Sequence, residues 1–508
     1  MIARRARAVM VLGTASNAGK SLIATALCRI LARQGHAVAP FKAQNMSLNS
    51  AATPDGLEIG RAQALQAEAA RLAPRADMNP VLLKPMSSTG SQAVVNGRVW
   101  GNVLARDFVG GTKALLWPSV CAAYDRLASE FELIVIEGAG SPAEINLREH
   151  DIVNMSVAHY AEARALLVAD IDRGGAFAAV AGTMALLDER DRTRIVGYAF
   201  NKFRGDASLL APGIAMLEPH VGTPCLGIIP WLDTRGLDEE DGVCLERRLE
   251  RQRPWSQGAL RVAVVAVPHL SNFTDFDALE EEPSVALRYV RTPGEMRDAD
   301  VVVLPGTKDT MSDLLWLRER GIDVELHAAR ARNAVVIGIC GGMQMLGDCI
   351  EDALGIERGG LMEGLGALPL RSQFLAEKVT YPVAGETRAF GPRIDVHGYE
   401  IHVGQTTYAS GARPFATIRR AGMTGDLRDG VVSADGNTIG TYLHGIFAGD
   451  EFRHAFLRWV CARREKALPE PLVAVAARRE ERLDALADAV EGALDVRALL
   501  AETPATRA

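Results

Sequence analysis

No stretch of this sequence approaches the roughly 20 consecutive apolar residues that a membrane-spanning helix needs. An excess of positive charge is also missing, because 56 lysines and arginines stand against 63 aspartates and glutamates, for a formal net charge of −7. A nucleic-acid-binding surface needs a basic patch or a high pI, and this charge balance argues against one. We therefore expect neither a nucleic-acid partner nor a membrane partner.

Paired cysteines are lacking as well. The seven cysteines are odd in number, scattered, and form no C-x-x-C pair, so the sequence predicts neither a disulfide framework nor a zinc site. Basic residues precede a short apolar run at the N-terminus, as they do in a signal peptide. That run leads directly into a glycine-rich loop instead of a cleavage site, so we interpret it as the first strand of a cytoplasmic protein.

What the sequence does contain is an alternation of strand-like and helix-like segments. A length of 508 residues exceeds what one hydrophobic core supports, so more than one domain is expected. Continuous apolar runs such as FELIVIEG and ARALLVAD are typical of parallel strands that are buried on both faces. The pattern predicts an α/β protein with two doubly wound domains. The predicted boundaries are residues 1–232 and 260–455 for the domains, 233–259 for a charged linker, and 456–508 for a C-terminal helical extension.

A phosphate-binding loop is predicted in GTASNAGKS, which spans Gly13 to Ser21 between a strand and an amphipathic helix. Backbone amides around Gly13 and Gly19 and the helix N-terminus would hold the phosphates of ATP, and Lys20 would reach the β- and γ-phosphates. Ser21 would place its hydroxyl on Mg²⁺. The loop has one residue more than the common G-x-x-x-x-G-K-[ST] pattern, and a glycine-rich turn with an unrelated lysine is the alternative.

An acidic residue ends a buried strand in LIVIEGAGS. This residue, Glu137, is predicted at the sheet edge where open α/β sheets bind ligands. A carboxylate there suits a Mg²⁺ ligand that faces the phosphates. A solvent-facing glutamate at a strand end is the alternative.

A second set of chemical groups lies in the C-terminal half. GICGG follows an apolar strand and precedes a helical segment, which is the pattern of a nucleophile elbow with Cys340 as the nucleophile. A helix start lowers the thiol pKa and aims backbone amides at a developing oxyanion. His444, which follows another strand, is the best placed general base. A small core cysteine and a surface histidine are the alternatives.

Two family resemblances follow from these motifs. The longer loop, the IEGAG segment and Asn201 in AFNKFRG resemble the dethiobiotin synthetase group of ATPases. The resemblance implies a metal-binding role for Glu137, adenine recognition by Asn201, and activation of a carboxylate by ATP. A second acidic Mg²⁺ ligand is implied too, and Glu58 is only a candidate.

The elbow, His444 and the turn LPGTKDT are similar to class I, flavodoxin-like glutamine amidotransferase domains. That resemblance implies an oxyanion hole formed with the help of Gly306 and Gly341. Class I enzymes usually have H-P-E at the base, whereas this chain has His444, Gly445 and Ile446. The third group of the triad is therefore unassigned.

Segments along nearly the whole chain resemble the cobyric acid synthase family of cobalamin biosynthesis: PFKAQNMSLNS, NPVLLKP, ADIDRGGAFA, HLSNFTDFDAL and GYEIHVG. The resemblance implies amidation of carboxylates b, d, e and g of the corrinoid adenosylcobyrinic acid a,c-diamide, with ATP, Mg²⁺ and glutamine. Four residues in or near such segments are candidates for contacts with substrate or phosphate, or alternatively for loop salt bridges: Lys42, Lys84, Asp172 and Arg173.

Three other functions remain open from the sequence. A cobyrinic acid a,c-diamide synthase would have the same architecture and act on other carboxylates. A CTP synthase also joins a nucleotide domain to a class I glutaminase, but it keeps the H-P-E pattern that this chain lacks. A partition-type ATPase would explain the N-terminal half and leave the cysteine elbow without a function.

Overall fold

The protein is described from a computed structural model that covers residues 6–86, 90–104, 111, 113–233, 236–237, 249, 255–256, 258–468 and 471–501. The contacts divide the chain into two compact units. The first unit comprises Met1–Met46, Ile59–Leu237 and Glu480–Ala508, and the second comprises Ser47–Glu58 and Asp238–Arg479. Most of the predicted linker lies outside the described residues. Within the described residues, no helix combines the length and apolar character that crossing a membrane requires.

The N-terminal half contains twelve described strands. They are β1 (Arg7–Gly13), β2 (Val38–Phe41), β3 (Gln44–Met46), β4 (Ser50–Ala52), β5 (Glu58–Gly60), β6 (Val81–Pro85), β7 (Gly90–Val95), β8 (Arg98–Leu104), β9 (Leu133–Glu137), β10 (Arg164–Asp170), β11 (Ile195–Phe203) and β12 (Cys225–Pro230). The helices described between them are α1 (Lys20–Arg33), α2 (Arg61–Ala69), α3 (Lys113–Glu130), α4 (Met155–Tyr160), α5 (Ala176–Leu186), α6 (Glu189–Arg192) and α7 (Ala211–Val221).

The main sheet of the first unit is parallel and has the strand order β12-β11-β10-β1-β9-β2. Every residue of β9 is buried, which explains its continuous apolar sequence. Because all these strands are parallel, the loops after β1 and β9 lie at the same edge of the sheet. This is the edge that carries the phosphate loop and Glu137.

The C-terminal half begins a second set of strands. They are β13 (Leu260–Val265), β14 (Val285–Val290), β15 (Val301–Leu304), β16 (Val335–Ile339), β17 (Cys349–Asp352), β18 (Gly360–Glu363), β19 (Leu370–Thr387), β20 (Ile394–Tyr408), β21 (Ala416–Arg420), β22 (Leu427–Asp429), β23 (Val431–Val432) and β24 (Thr438–Thr441). The described helices are α8 (Asp277–Glu280), α9 (Pro293–Met296), α10 (Thr310–Glu319), α11 (Ile322–Ala331), α12 (Gly341–Leu346), α13 (Asp450–Arg463), α14 (Val475–Glu491) and α15 (Val496–Leu500).

The central sheet of the second unit has the order β14-β13-β15-β16-β24-β23 and is parallel except for the edge strand β23. The predicted fold class, two doubly wound α/β domains, is confirmed. The sequence did not predict the antiparallel parts of the structure. They include the β6-β7-β8 meander and the long hairpin of β19 and β20.

The grouping of the chain differs from the contiguous predicted domains at two segments. The first is residues 47–58, called here the crossover segment, which groups with the second unit although the chain on both sides of it belongs to the first. The second is the C-terminal end. Leu483, Leu486 and Val490 of α14 are buried in the core of the first unit, and the guanidinium of buried Arg29 in α1 bonds the carboxylate of Asp484 at 2.8 Å. The helix α14 therefore contributes to the core of the first unit and is not only a surface helix.

Candidate active sites

The phosphate loop lies between β1 and α1 in the first unit. Gly19, the residue before α1, has φ +100°, and a Cβ atom there would lie 2.0 Å from Nδ2 of Asn201. Only glycine fits this position. The ammonium of Lys20 donates to the carbonyls of Ala15 and Gly140, both at 3.0 Å. A cation and the N-terminus of a 14-residue helix thus meet in a loop suited to bind phosphate.

Glu137 is the centre of a buried polar cluster at the end of β9. Its Oε1 atom accepts hydrogen bonds from Ser21 Oγ at 2.7 Å and from Lys42 Nζ at 2.8 Å. Its Oε2 atom accepts one from Gln66 Nε2 of α2 at 2.5 Å. Burial alone would raise the pKa of Glu137, but the charge of Lys42 and these hydrogen bonds outweigh it and lower the pKa below its ordinary value. The side chain is therefore an ionised carboxylate.

The oxygen atoms of this cluster fit a magnesium ion. Mg²⁺ prefers hard oxygen ligands such as a carboxylate and a hydroxyl, which Glu137 and Ser21 supply side by side. The Oε1 atom of Gln66 is buried, and no described residue donates a hydrogen bond to it. A buried acceptor without a donor costs free energy unless a ligand or water satisfies it. Gln66 was not predicted from the sequence, since a glutamine on a helical segment carries no recognisable motif.

Asn201 and its neighbour support the phosphate loop from β11. Asn201 Nδ2 donates to the carbonyl of Ala18 at 2.9 Å. Lys202, a residue that was not predicted, donates from Nζ to the carbonyl of Asn17 at 2.5 Å and to the carboxylate of Asp170 at 2.7 Å. Both side chains thus hold the shape of the loop, and a role of Asn201 in adenine recognition stays a prediction.

The remaining residues with predicted contacts occupy varied positions. Lys42 is part of the Glu137 cluster. Lys84 lies buried in β6, opposite Gln92 of β7. Asp172 and Arg173 lie on an exposed loop. There Asp172 pairs with Arg204 at 3.3 Å, and Arg173 lies 3.7 Å from the carboxylate of Asp170.

Glu58, the candidate for a second acidic Mg²⁺ ligand, belongs to the second unit and not to the Glu137 cluster. Its carboxylate accepts hydrogen bonds from Ser50 Oγ at 2.8 Å and from Lys378 Nζ at 2.5 Å.

A cavity of about 780 Å³ lies beside the phosphate loop. Gly140, whose carbonyl binds Lys20, lines it together with Arg148, His150, His159 and Asp191. Two of these basic side chains are held by one carboxylate, because Asp191 accepts from Arg148 at 2.5 Å and contacts His159 Nε2 at 2.7 Å. The volume is within the range of about 300–1,000 Å³ that is usual for ligand pockets.

The second candidate site is built around Cys340, between β16 and α12. Cys340 has φ +52° and ψ −112°, a strained conformation for a non-glycine residue. Its amide donates to the carbonyl of Thr441 of β24 at 2.8 Å, and its thiol lies 3.6 Å from the carbonyl of Ile401. The turn therefore holds the thiol at the carboxyl ends of β16 and β24, as a nucleophile elbow does.

His444 follows β24 and is almost completely buried, at 1% exposure. Its Nδ1 atom lies 2.7 Å from Oδ2 of Asp275, and the amide of Gly445 donates to Oδ1 of the same carboxylate at 2.8 Å. Asp275 therefore fills the place of the third group that the sequence left unassigned. A carboxylate that accepts from Nδ1 fixes the imidazole tautomer and ring orientation. Glu451, the glutamate nearest to His444 in the sequence, is exposed in the first turn of α13.

The protonation of His444 follows from these neighbours. Burial alone would lower its pKa, but the negative charge of Asp275 and the hydrogen bond to it outweigh burial. The Cys340 thiol, which hydrogen-bonds to the same imidazole, also raises the pKa, which reaches about 10. A protonated imidazole stabilises a thiolate next to it.

The turn after β15 lies against both catalytic candidates. A Cβ atom at Gly306 would lie 2.7 Å from Cε1 of His444, and one at Gly341 would lie 2.6 Å from Cγ2 of Thr307. Only glycine permits this close approach. Of the two residues predicted for the oxyanion hole, Gly306 thus packs against His444, and Gly341 packs against Thr307 of the same turn.

Asp275 was missed although its segment was noticed. HLSNFTDFDAL was among the segments that carry the family resemblance, but it contains two aspartates and no catalytic motif. Since Asp275 and His444 are 169 residues apart, only the fold brings them together.

Comparisons with known proteins identify relatives of both halves of the chain. Residues 9–242 match a family model described as a CobQ/CobB/MinD/ParA nucleotide binding domain, and residues 261–452 match a CobB/CobQ-like glutamine amidotransferase domain. A cobyric acid synthase of Moorella thermoacetica is 47% identical over 98% of this chain and 97% of its own length. One of Desulforudis audaxviator is 49% identical over 95% of this chain and 96% of its own length. One of Salmonella dublin is 46% identical over 96% of this chain and 97% of its own length.

Proposed function

This chain belongs to the cobyric acid synthase family of glutamine-dependent carbon–nitrogen ligases, and we propose that it amidates carboxylates b, d, e and g of adenosylcobyrinic acid a,c-diamide. The observation that carries this proposal is the presence of two complementary sites in one chain. A phosphate loop with an ionised carboxylate beside it suits activation by ATP, and a cysteine elbow with a buried histidine suits release of ammonia from glutamine.

The first half of the reaction activates the substrate. A substrate carboxylate oxygen attacks the γ-phosphorus of ATP, the bond to ADP breaks, and an acyl phosphate forms. Lys20 and the amides of Gly13 to Gly19 stabilise the charge of the phosphates. Mg²⁺, held by Ser21 and Glu137, would neutralise further phosphate charge. Lys42 and Gln66 hold Glu137 in place and keep it ionised.

The second half supplies the nitrogen. The Cys340 thiolate attacks the amide carbon of glutamine, and the protonated His444 gives its proton to the leaving ammonia. Backbone amides near Gly306 and Gly341 stabilise the tetrahedral oxyanion. Water then hydrolyses the glutamyl thioester. Ammonia attacks the acyl phosphate, phosphate leaves, and the amide is complete.

We place the corrinoid substrate in the cavity beside Gly140. A cavity of about 780 Å³ next to the Lys20 contact accommodates a large ligand, and the guanidinium of Arg148 on its wall can bind carboxylates of the substrate. ATP as a substrate and a reactive thiol that must stay reduced both suit the cytoplasm.

The alternatives have less support. Cobyrinic acid a,c-diamide synthase shares the architecture, but the relatives reported above, which match over nearly the full chain, are cobyric acid synthases. The nucleotide-binding family model also includes partition-type ATPases. An ATPase switch would not need a glutamine amidotransferase domain, however, and residues 261–452 match one.

The proposed function is tested by mass spectrometry of corrinoids after incubation with ATP, Mg²⁺ and glutamine. We expect adenosylcobyrinic acid a,c-diamide to gain four amides, and cobyrinic acid to remain without amides at positions a and c. Amidation at a and c would instead assign the chain to the diamide synthases. ATP hydrolysis without release of ammonia from glutamine would favour the ATPase switch.

A further inference from the structure

The crossover segment contacts the surroundings of His444 at two points. The backbone amide of Ser50 donates to Oδ1 of Asn272 at 3.0 Å. Ala52 packs in a small buried cluster with Tyr399 and Ile401. Both Asn272 and Tyr399 touch His444, as described below, so two independent contacts lead from one short segment to the same imidazole.

Asn272 joins the crossover segment to the His444–Asp275 pair. It is 3% exposed and has φ +53°, a left-handed conformation that asparagine tolerates. Its Nδ2 atom lies 3.5 Å from Nδ1 of His444, and its carbonyl accepts from the amide of Asp275 at 3.0 Å. Since the Nδ1 proton is directed to Asp275 at 2.7 Å, the longer contact is packing against the ring and not a second strong hydrogen bond. Asn272 thus holds both members of the pair from one side.

Tyr399 holds the imidazole from another direction. Its ring stacks on His444 with centroids 5.4 Å apart and an angle of 20° between the planes. Backbone hydrogen bonds of 3.1 and 2.9 Å join the two residues in both directions. The second contact of the crossover segment therefore also ends on His444.

We propose that Asn272, held by the amide of Ser50, is a positioning residue for the His444–Asp275 pair. Its side chain lies between the crossover segment and the imidazole, and its carbonyl holds the amide of Asp275, so it fixes the imidazole in the orientation that serves Cys340. The inference rests on the function proposed above.

The experiment compares Asn272→Gly with Asn333→Gly. Glycine removes the side chain without left-handed strain. Asn333 is a matched control, because it has φ +60° but is exposed and precedes β16, at the opposite end of that strand from Cys340. For Asn272→Gly we expect kcat for glutamine hydrolysis to fall about tenfold to hundredfold, as small misplacements of catalytic groups do. KM for glutamine and amidation with free ammonia should stay within about twofold of wild type.

A further readout separates positioning from damage to the fold. The rate at which iodoacetamide alkylates Cys340, followed on the labelled peptide by mass spectrometry, should fall in Asn272→Gly and not in Asn333→Gly.

The possible results are distinguishable. A wild-type kcat in Asn272→Gly, or an equal loss of ammonia-driven amidation, would overturn the positioning role. A wild-type protein that releases no ammonia from glutamine under any condition would overturn the proposed function itself.

Discussion

The Nδ1 atom of His444 lies 2.7 Å from Oδ2 of Asp275, and the side chains of both residues are at most 2% exposed. In class I amidotransferases of the H-P-E type, a glutamate two residues after the histidine takes this place. Here the carboxylate comes from the turn Phe273–Phe276, and the residue two positions after His444 is Ile446. A carboxylate in the same spatial role can therefore come from a distant part of the chain.

The first prediction concerns the Asp275 carboxylate. Asp275→Asn keeps the size of the side chain but removes the charge that stabilises a protonated His444. We expect glutamine-dependent amidation to fall by roughly 10²-fold to 10⁴-fold, the usual contribution of a positioned acid–base group. Amidation with ammonium should persist, because the nucleotide site is unchanged. Both rates are measured by corrinoid mass spectrometry.

Glu451→Gln is the matched control for that prediction. Glu451 is exposed at the start of α13, so the glutaminase rate of the Glu451→Gln variant should equal that of the wild type. A large loss in Glu451→Gln, or a fully active Asp275→Asn, would show that the orienting carboxylate has been assigned to the wrong residue.

The second prediction is a pH dependence. The pKa of His444 is raised to about 10, so the imidazole stays protonated, and able to stabilise the thiolate and protonate ammonia, until the pH approaches that value. We expect kcat/KM for glutamine to decline on the alkaline side near pH 10. In Asp275→Asn the stabilising charge is gone and burial lowers the pKa, so the decline should begin at a lower pH. An alkaline limb at the same pH in both proteins would contradict the assignment.

The catalytic motifs could be predicted because each is contiguous in the sequence. The loop from Gly13 to Ser21 and the elbow at Cys340 both combine a strand, a tight turn and a helix, and this pattern is visible without a structure. The two sheets could be predicted for the same reason, since parallel strands buried on both faces are continuous apolar runs. Cys340, His444 and the loop from Gly13 to Ser21 could therefore be singled out as candidates from the sequence.

The parts that could not be predicted depend on contacts between distant residues. Gln66 meets Glu137, 71 residues away, and Asp275 meets His444, 169 residues away, and neither lies in a motif. The β19–β20 hairpin was missed because its strands mix charged, polar and apolar residues and contain Pro382. The place of residues 47–58 in the second unit is likewise a property of the fold and not of the local sequence.

The third prediction addresses the activation of the carboxylate. Lys20→Ala removes the cation that stabilises phosphate charge, and Glu137→Gln removes the charge of the proposed Mg²⁺ ligand. Each variant should lose amidation with glutamine and with ammonium alike. Hydrolysis of glutamine, measured as ammonia release without ATP, should remain and serves as the internal control for folding. Normal product formation by Lys20→Ala would refute the nucleotide site.

The fourth prediction separates the two half-reactions at Cys340. Cys340→Ala cannot form a glutamyl thioester, so amidation with glutamine should disappear. The site of Lys20, Ser21 and Glu137 would still form the acyl phosphate, because it lies in the other unit of the chain. High ammonium at alkaline pH should therefore restore amidation, since free NH₃ reaches the acyl phosphate from solution, and the a,c-diamide should again gain four amides. Structural damage would lower both activities together, which circular dichroism and ATP binding would reveal. If a folded Cys340→Ala variant that binds ATP is not rescued by ammonium, then Cys340 does more than release ammonia, and the division of the reaction between the two sites is wrong.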